Sequence, residues 1–130
     1  MTADNDAPGT PPGAATIAEL TRNMVRPKFF VVLSSGKGLD LRPRLAEHLA
    51  YMIELERRGT LFASGPFGDG RSGDGMTILR AADEAEARAV ALADPFVVHG
   101  LRTFAIKPWT VMEGSVTVTV SLSQGSAGLS

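Results

Sequence analysis

Residues 44–67 read RLAEHLAYMIELERRGTLFASGPF. Wound at about 100° per residue, Leu41, Leu45, Leu49 and Met52 fall on one stripe, with His48 and Leu55 beside it, while Glu47, Glu54 and Arg58 point elsewhere. The pattern predicts an amphipathic helix from about Arg42 to Arg58. Gly59 stands just past its end as a stop signal, and Arg57-Arg58 place cations where the helix dipole favours them. TLFASG, residues 60–65, then reads as a short strand closed by Gly65-Pro66.

Other elements follow outward from this pair. Upstream, Phe29 to Leu33 is an unbroken apolar, β-rich run of the kind found in buried central strands, followed by the loop SSGKGLDLRP. Downstream, GPFGDGRSGDG (residues 65–75) reads as a flexible hairpin loop and MTILRA as a third strand. Asp83 with Glu86 three positions on marks a helix start, EAEARAVALA continues it, and Asp94-Pro95 interrupts it. After a turn ending near Gly100, RTFAIKPW alternates as a strand, and SVTVTVSL alternates again with Val116, Val118, Val120 and Leu122 on one side.

The order is β-α-β-β-α-β, with an extra C-terminal strand and an extra N-terminal helix. That is an α+β, ferredoxin-like arrangement, a mainly antiparallel sheet with both helices on one face. The other face needs a cover, and a second copy of the same sheet supplies it, so a homodimer is expected, with the Val/Thr strand extending the interface.

Residues 1–15, with three prolines and little apolar mass, read as a mobile tail. Thr16 as N-cap with Glu19 after it predicts a short helix bearing Ile17, Leu20 and Met24 on one face, within an N-terminal helix and linker at 16–27. The main domain is expected at 28–122 and a frayed end at 123–130.

At 130 residues and a formal net charge of −1, the chain has the size of one domain and no field to attract nucleic acid or anionic membrane. With no cysteine, disulfides, thiolate nucleophiles and cysteine-ligated metals are excluded. No run is apolar enough for a membrane span and no secretory signal opens the chain, so a cytoplasmic protein is expected.

His48 is one of only two histidines. Beside the apolar stripe it is either a hydrogen-bonded core side chain or a proton-transfer group suited to neutral pH. Asp94 either caps the amides of Phe96 or Val97 or orients a histidine; both helices lie on one sheet face, so it can approach His48. The glycine-rich loop lacks the Lys-Ser ending of a phosphate loop and the spacing of a calcium loop, and reads as the border of a cleft. His99 before Gly100 reads as a turn terminator, and a metal site shared with His48 lacks the helical spacing that would support it. Trp109 reads as an edge or interface aromatic. Ser34 and Ser35 end the first strand, either as turn caps or as donors to a ligand. There is no G-x-S-x-G nucleophile elbow.

Taken together, RLAEHLAYMIELERRGTLFASGPF, GMTILRAADEAEARAVALADPFVVHGL and FAIKPW resemble the YCII-related family in content and order, over about Lys28 to Trp109. The shared features are a helix with arginine and histidine, a Gly-x-Leu strand ending in Gly-Pro, an Asp-Pro-Phe turn and a final Lys-Pro-Trp strand. The resemblance implies a dimeric α+β barrel and cofactor-free chemistry on hydroxylated rings, through a His–Asp pair that falls on His48 and Asp94. Many members carry a polar or acidic residue at the end of the first strand, where this chain has Ser34-Ser35.

The resulting expectation is a cofactor-independent lyase or isomerase that moves a proton on a small cyclic, enolisable substrate. His48 and Asp94 are the catalytic pair. Ser34, Ser35, Arg44, Ser64, Gly65, Pro66, Phe67 and Phe96 are the substrate-binding set, with amides near Ser64-Gly65 stabilising an oxyanion. Phe29, Phe62, Phe67 and Phe96 are expected to wall the cleft. A cofactor-free monooxygenase, a non-catalytic binding module and a purely structural dimer stay open as alternatives.

Overall fold

The computed structural model describes residues 13–129. The tail expected over 1–15 therefore falls outside the described residues for 1–12, as does Ser130. The chain divides into two compact units, Lys28–Thr110 and a second made of Met1–Pro27 with Val111–Ser130.

In the first unit, strands β1 (Lys28–Gly36), β2 (Leu61–Pro66), β3 (Gly75–Leu79) and β4 (Arg102–Thr110) form one sheet in the order β2-β3-β1-β4, antiparallel throughout. Helices α2 (Arg42–Arg57) and α3 (Glu84–Leu92) follow β1 and β3, and a single turn, α4 (Pro95–Val98), follows α3. This is the expected ferredoxin-like α+β fold, with α4 as an addition inside what reads in the sequence as a plain turn.

The helix ends form where their sequence signals lie. Gly59 takes a φ of +79°, which glycine adopts without a Cβ penalty, and Thr60 N–H closes the end of α2 on Leu55 C=O at 2.9 Å. Asp83 accepts from the Glu86 amide at 2.8 Å, and the Glu86 carboxylate accepts from the Ala82 amide at 3.1 Å. Proline at position 95 stops α3 and then supplies the first residue of α4, where its missing N–H costs nothing.

Registers of Val32 with Thr77 and Ile106, and of Phe30 with Leu79, put alternate β1 residues on the helix-bearing face. There Val32, Leu79, Met52, Leu55, Ala87 and Ala91 form the buried core, flanked by Phe104, Ile106 and Tyr51. Leu55 and Leu79 are each only 1% exposed, and burial of such a side chain stabilises by about 1.5–3 kcal/mol. Tyr51 ties α2 to α3 by donating its hydroxyl to Val90 C=O at 2.6 Å.

Two expectations change here. Only the C-terminal half of the α2 stripe packs on the sheet, since Leu45 and Leu49 keep 41% and 49% of their surface exposed. Phe29 and Phe62 are not cleft walls. Period-two alternation turns Phe29 away from the helices, and the bulge between Leu61 and Ala63 lets Phe62 join it. The Phe29–Phe62 and Phe29–Trp109 ring centroids lie 4.8 and 5.9 Å apart, with the Arg80 guanidinium over both phenylalanines.

In the second unit, α1 (Ile17–Thr21) carries the full capping box between Thr16 and Glu19, although it stops before Met24. The Val/Thr strand, β5 (Val118–Ser121), pairs antiparallel with β6 (Ser126–Leu129) as a separate two-stranded sheet. A domain running to 122 and a frayed end from 123 are expected; in the structure Val111–Ser130 belong to the second unit and residues 126–129 pair as β6. Gly125, at φ +60°, sits in the turn that brings the chain back, and the alternation of β5 is used by its own neighbour in sequence.

No helix among the described residues is long and apolar enough to cross a membrane.

Candidate active site

Asp94 anchors the site. As N-cap of α4 it accepts the Phe96 amide on Oδ1 at 3.0 Å, and the same oxygen lies 2.8 Å from His48 Nδ1. Its second oxygen, Oδ2, accepts from Arg102 Nη2 at 2.6 Å. The capping role and the histidine-orienting role therefore belong to one side chain. Asp94 and Arg102 are both deeply buried, with side chains 8% and 10% exposed.

Burial alone would raise the Asp94 carboxyl. The hydrogen bond to His48 and the positive charge of Arg102 outweigh it and hold the group below the ordinary carboxylate range. An ionised carboxylate only accepts. His48 Nδ1 therefore carries the proton that Asp94 receives, and in the neutral ring Nε2 is left with its lone pair. The imidazole is also fixed by stacking on Phe96, with centroids 4.1 Å apart and planes 10° from parallel. The Arg102 guanidinium packs over the same Phe96 ring at 5.1 Å.

His48, Phe96 and Arg102 line a cleft of about 400 Å³. Leu41, Leu45, Leu49 and Met52 form its apolar wall, and Ser64, Gly65 and Pro66 border it from β2. The half of the helix stripe that leaves the sheet thus becomes the lining of the cleft.

The glycine-rich loop borders the cleft, as its sequence suggests, but it is pinned. Asp74 Oδ1 accepts the Gly36 amide at 2.8 Å, and the Phe67 amide closes on Asp74 C=O at 3.0 Å. Gly36 and Gly73 make the approach possible: a Cβ on Gly36 would lie 1.9 Å from Ser72 C=O, and one on Gly73 would lie 2.7 Å from Gly36 Cα.

Other expected binding residues lie elsewhere. Ser34 is buried and borders a second cavity of about 20 Å³ together with Asp94 and Arg102. That volume suits one water. Ser35 is exposed on the opposite sheet face, because successive strand residues alternate. Arg44 lies outside the cleft lining; its half-exposed guanidinium turns to Glu47 at 2.9 Å, where it keeps its hydration instead of entering an apolar wall. Phe67 is also outside the lining and 42% exposed, beyond the end of β2. His99 closes α4 and lies 3.5 Å from Glu47. Among the described residues no group of three His, Asp or Glu side chains could hold a metal.

Arg102 and Asp74 are absent from the expected set. Arg102 had a signal: in RTFAI it shares parity with the inward Phe104 and Ile106, and an arginine at an inward strand position is rare unless paired. Asp74 had none, since its place depends on a close approach of two backbones far apart in sequence.

The fold and the site together define a small ferredoxin-like α+β protein with a His–Asp–Arg chain along an apolar cleft. The YCII-related domain profile matches residues 29–110, and the chain belongs to that family. Among solved structures it is similar to 5-chloro-2-hydroxyhydroquinone dehydrochlorinase from Burkholderia phenoliruptrix AC1100, determined in complex with 2,5-dihydroxybenzoquinone. Identity is 24% and the TM-score 0.52, over 62% of this chain and 92% of that one. No curated protein matches the sequence.

Proposed function

We propose that the chain is a cofactor-free acid–base enzyme, a lyase or isomerase acting on a small cyclic, enolisable compound, with His48 as general base. The observation that carries this reading is the 2.8 Å contact from His48 Nδ1 to an Asp94 carboxylate whose other oxygen accepts from Arg102. It leaves His48 Nε2 as the acceptor on a residue that lines the cleft.

In the elimination, Nε2 takes a proton from a ring carbon next to a carbonyl, the keto form of a ring hydroxyl. The C–H electrons form the enolate, whose collapse makes the new double bond and expels halide or hydroxide from the adjacent carbon, and the imidazolium then gives its proton to solvent or to the leaving hydroxide. In the isomerisation, the same proton returns from Nε2 to a different carbon. Both balance within substrate, imidazole and solvent, with no electron acceptor required. As His48 becomes cationic the substrate becomes anionic, and Asp94 stabilises the imidazolium. The guanidinium of Arg102 and donors at Ser64-Gly65 face the developing oxyanion, where fixed dipoles in a water-poor site count most.

The neighbouring dehydrochlorinase supports an eliminated halide as the first leaving group to try. The protein is also proposed to act as a cytoplasmic homodimer joined through the outer sheet face, where Phe62 and Trp109 remain 47% and 41% exposed.

The test is halide release from 5-chloro-2-hydroxyhydroquinone, with oxygen uptake followed in parallel. Turnover that falls about 10²–10⁴-fold in His48→Gln, with ligand binding retained, is the expected result. A His48→Gln protein with the wild-type rate refutes the assignment, and stoichiometric oxygen uptake would favour a monooxygenase instead.

A further inference from the structure

The mechanism leaves one charged group in the cleft unused. Asp74 lines the same cavity as His48 and Arg102, yet its carboxylate has a single hydrogen bond among the described residues, from the Gly36 amide to Oδ1. Asp94 is neutralised by Arg102; Asp74 has no such partner within ion-pair distance among the described residues.

Its placement is demanding. Gly36 and Gly73 must both lack a Cβ for the loop to reach β1, and a Cβ on Gly75 would lie 2.7 Å from Gly65 C=O. The close approach of Ser72-Gly73 to Gly36 thus fixes Asp74 against the end of β1, and that of Gly75 to Gly65 ties the end of the loop to β2. On the other side of that strand end, Gly36 is the register partner of Arg102. Asp74 and Arg102 therefore flank β1, two strand spacings or roughly 10 Å apart at the backbone. Both residues line the same cleft, so a ligand held there lies in the space they border.

From this juxtaposition we infer that Asp74 is a substrate-binding residue that selects rings carrying a second, proton-donating hydroxyl opposite the oxygen held near Arg102. The inference rests on the proposed reading of the cleft and adds the substrate's polarity and orientation to it. A carboxylate oxygen only accepts, so the ligand group facing Oδ2 must donate. A ligand ammonium would also donate, but it would share the cleft with the Arg102 guanidinium, whereas a hydroxyl adds no positive charge. The hydroxyl at Asp74 and the oxyanion at Arg102 then hold the ring in one sense, with one edge presented to His48.

The test compares hydroquinone with 1,4-dimethoxybenzene, which keeps the ring and both oxygens but has no hydroxyl to donate. Affinities are measured by calorimetry, and occupancy of the cleft is reported by the NMR signals of the His48 ring. The wild-type protein is expected to bind hydroquinone roughly tenfold or more tightly, as for a hydrogen bond to a charged group. Asp74→Asn keeps a carbonyl oxygen for the Gly36 amide and replaces Oδ2 by a donor, so the preference should vanish or reverse. If both compounds shift the His48 signals with equal wild-type affinity, or if the preference survives in Asp74→Asn, the role of Asp74 is overturned and the cleft reading stands. If neither compound shifts the His48 signals, both fall together.

Discussion

Replacing Arg102 by methionine tests the His–Asp–Arg chain most directly. Methionine retains the aliphatic bulk packed near Phe96 but leaves Asp94 Oδ2 without a partner. With side chains 10% and 8% exposed, the pair is sheltered from solvent screening. Breaking a buried pair from one side costs about 3–5 kcal/mol. Part of this is returned, because the Arg102 Nε–H is buried without an acceptor among the described residues, a burden of about 1 kcal/mol that the substitution removes. The net loss is roughly 2–4 kcal/mol, a fall in Tm of about 10–20 °C for a unit of this size.

The pH dependence has a definite sign. In the native protein the Asp94 carboxyl lies below its ordinary value, so its contribution is fully present above the unfolded pKa near 3.8 and is lost as pH falls through the lower folded value. Without Arg102, burial drives the folded value upward. The carboxylate then contributes less stability at neutral pH than in the native protein, and the deficit of Arg102→Met against wild type should shrink as the pH falls below about 5. Urea denaturation from pH 7 to pH 4, with Asp94→Asn/Arg102→Met as the double variant, measures this. Because the second change removes the stranded charge, it should recover part of the loss. A single variant within about 1 kcal/mol of wild type, or a deficit that grows toward acid pH, would refute the reasoning.

Leu55→Ala opens a cavity at a side chain 1% exposed and should destabilise by about 2–5 kcal/mol without changing ligand affinity in the folded protein, as read by denaturation and calorimetry together. Gly36→Ala has the opposite profile. Its Cβ would meet Ser72 C=O at 1.9 Å, so the loop must lift, and faster proteolysis or amide exchange over residues 67–74 is expected with the core transition nearly unchanged.

Much of this architecture was legible in the sequence because its signals are local. The stop of α2 at Gly59, the Asp83–Glu86 start of α3 and the alternation of β4 each depend on a few adjacent residues, and each lies where those residues place it. Residue type singles out His48 and Asp94, and the structure sets Nδ1 and Oδ1 2.8 Å apart. The differences concern direction and long-range approach. Ser35 lost its place by one step of strand alternation, and Phe62 by a bulge that periodicity cannot register. Arg44 shares a helical face with His48, yet a surface cation prefers a neighbouring glutamate to an apolar wall. Asp74 reached the cleft only through backbone contacts between residues nearly forty positions apart. The β5 alternation marks a strand, but alternation does not name the partner.

Asp94 begins a helix and orients an imidazole with the same oxygen. That economy restricts how the protein can change over evolutionary time. A glutamate at this position would preserve the charge but overreach the Phe96 amide; an asparagine or serine would preserve the cap but weaken the hold on His48 and leave Arg102 without its counter-charge. Variation in substrate choice has an easier route through the leucines of α2 and the loop around Asp74, where a side chain can be exchanged without rewriting the turn that supports the chemistry.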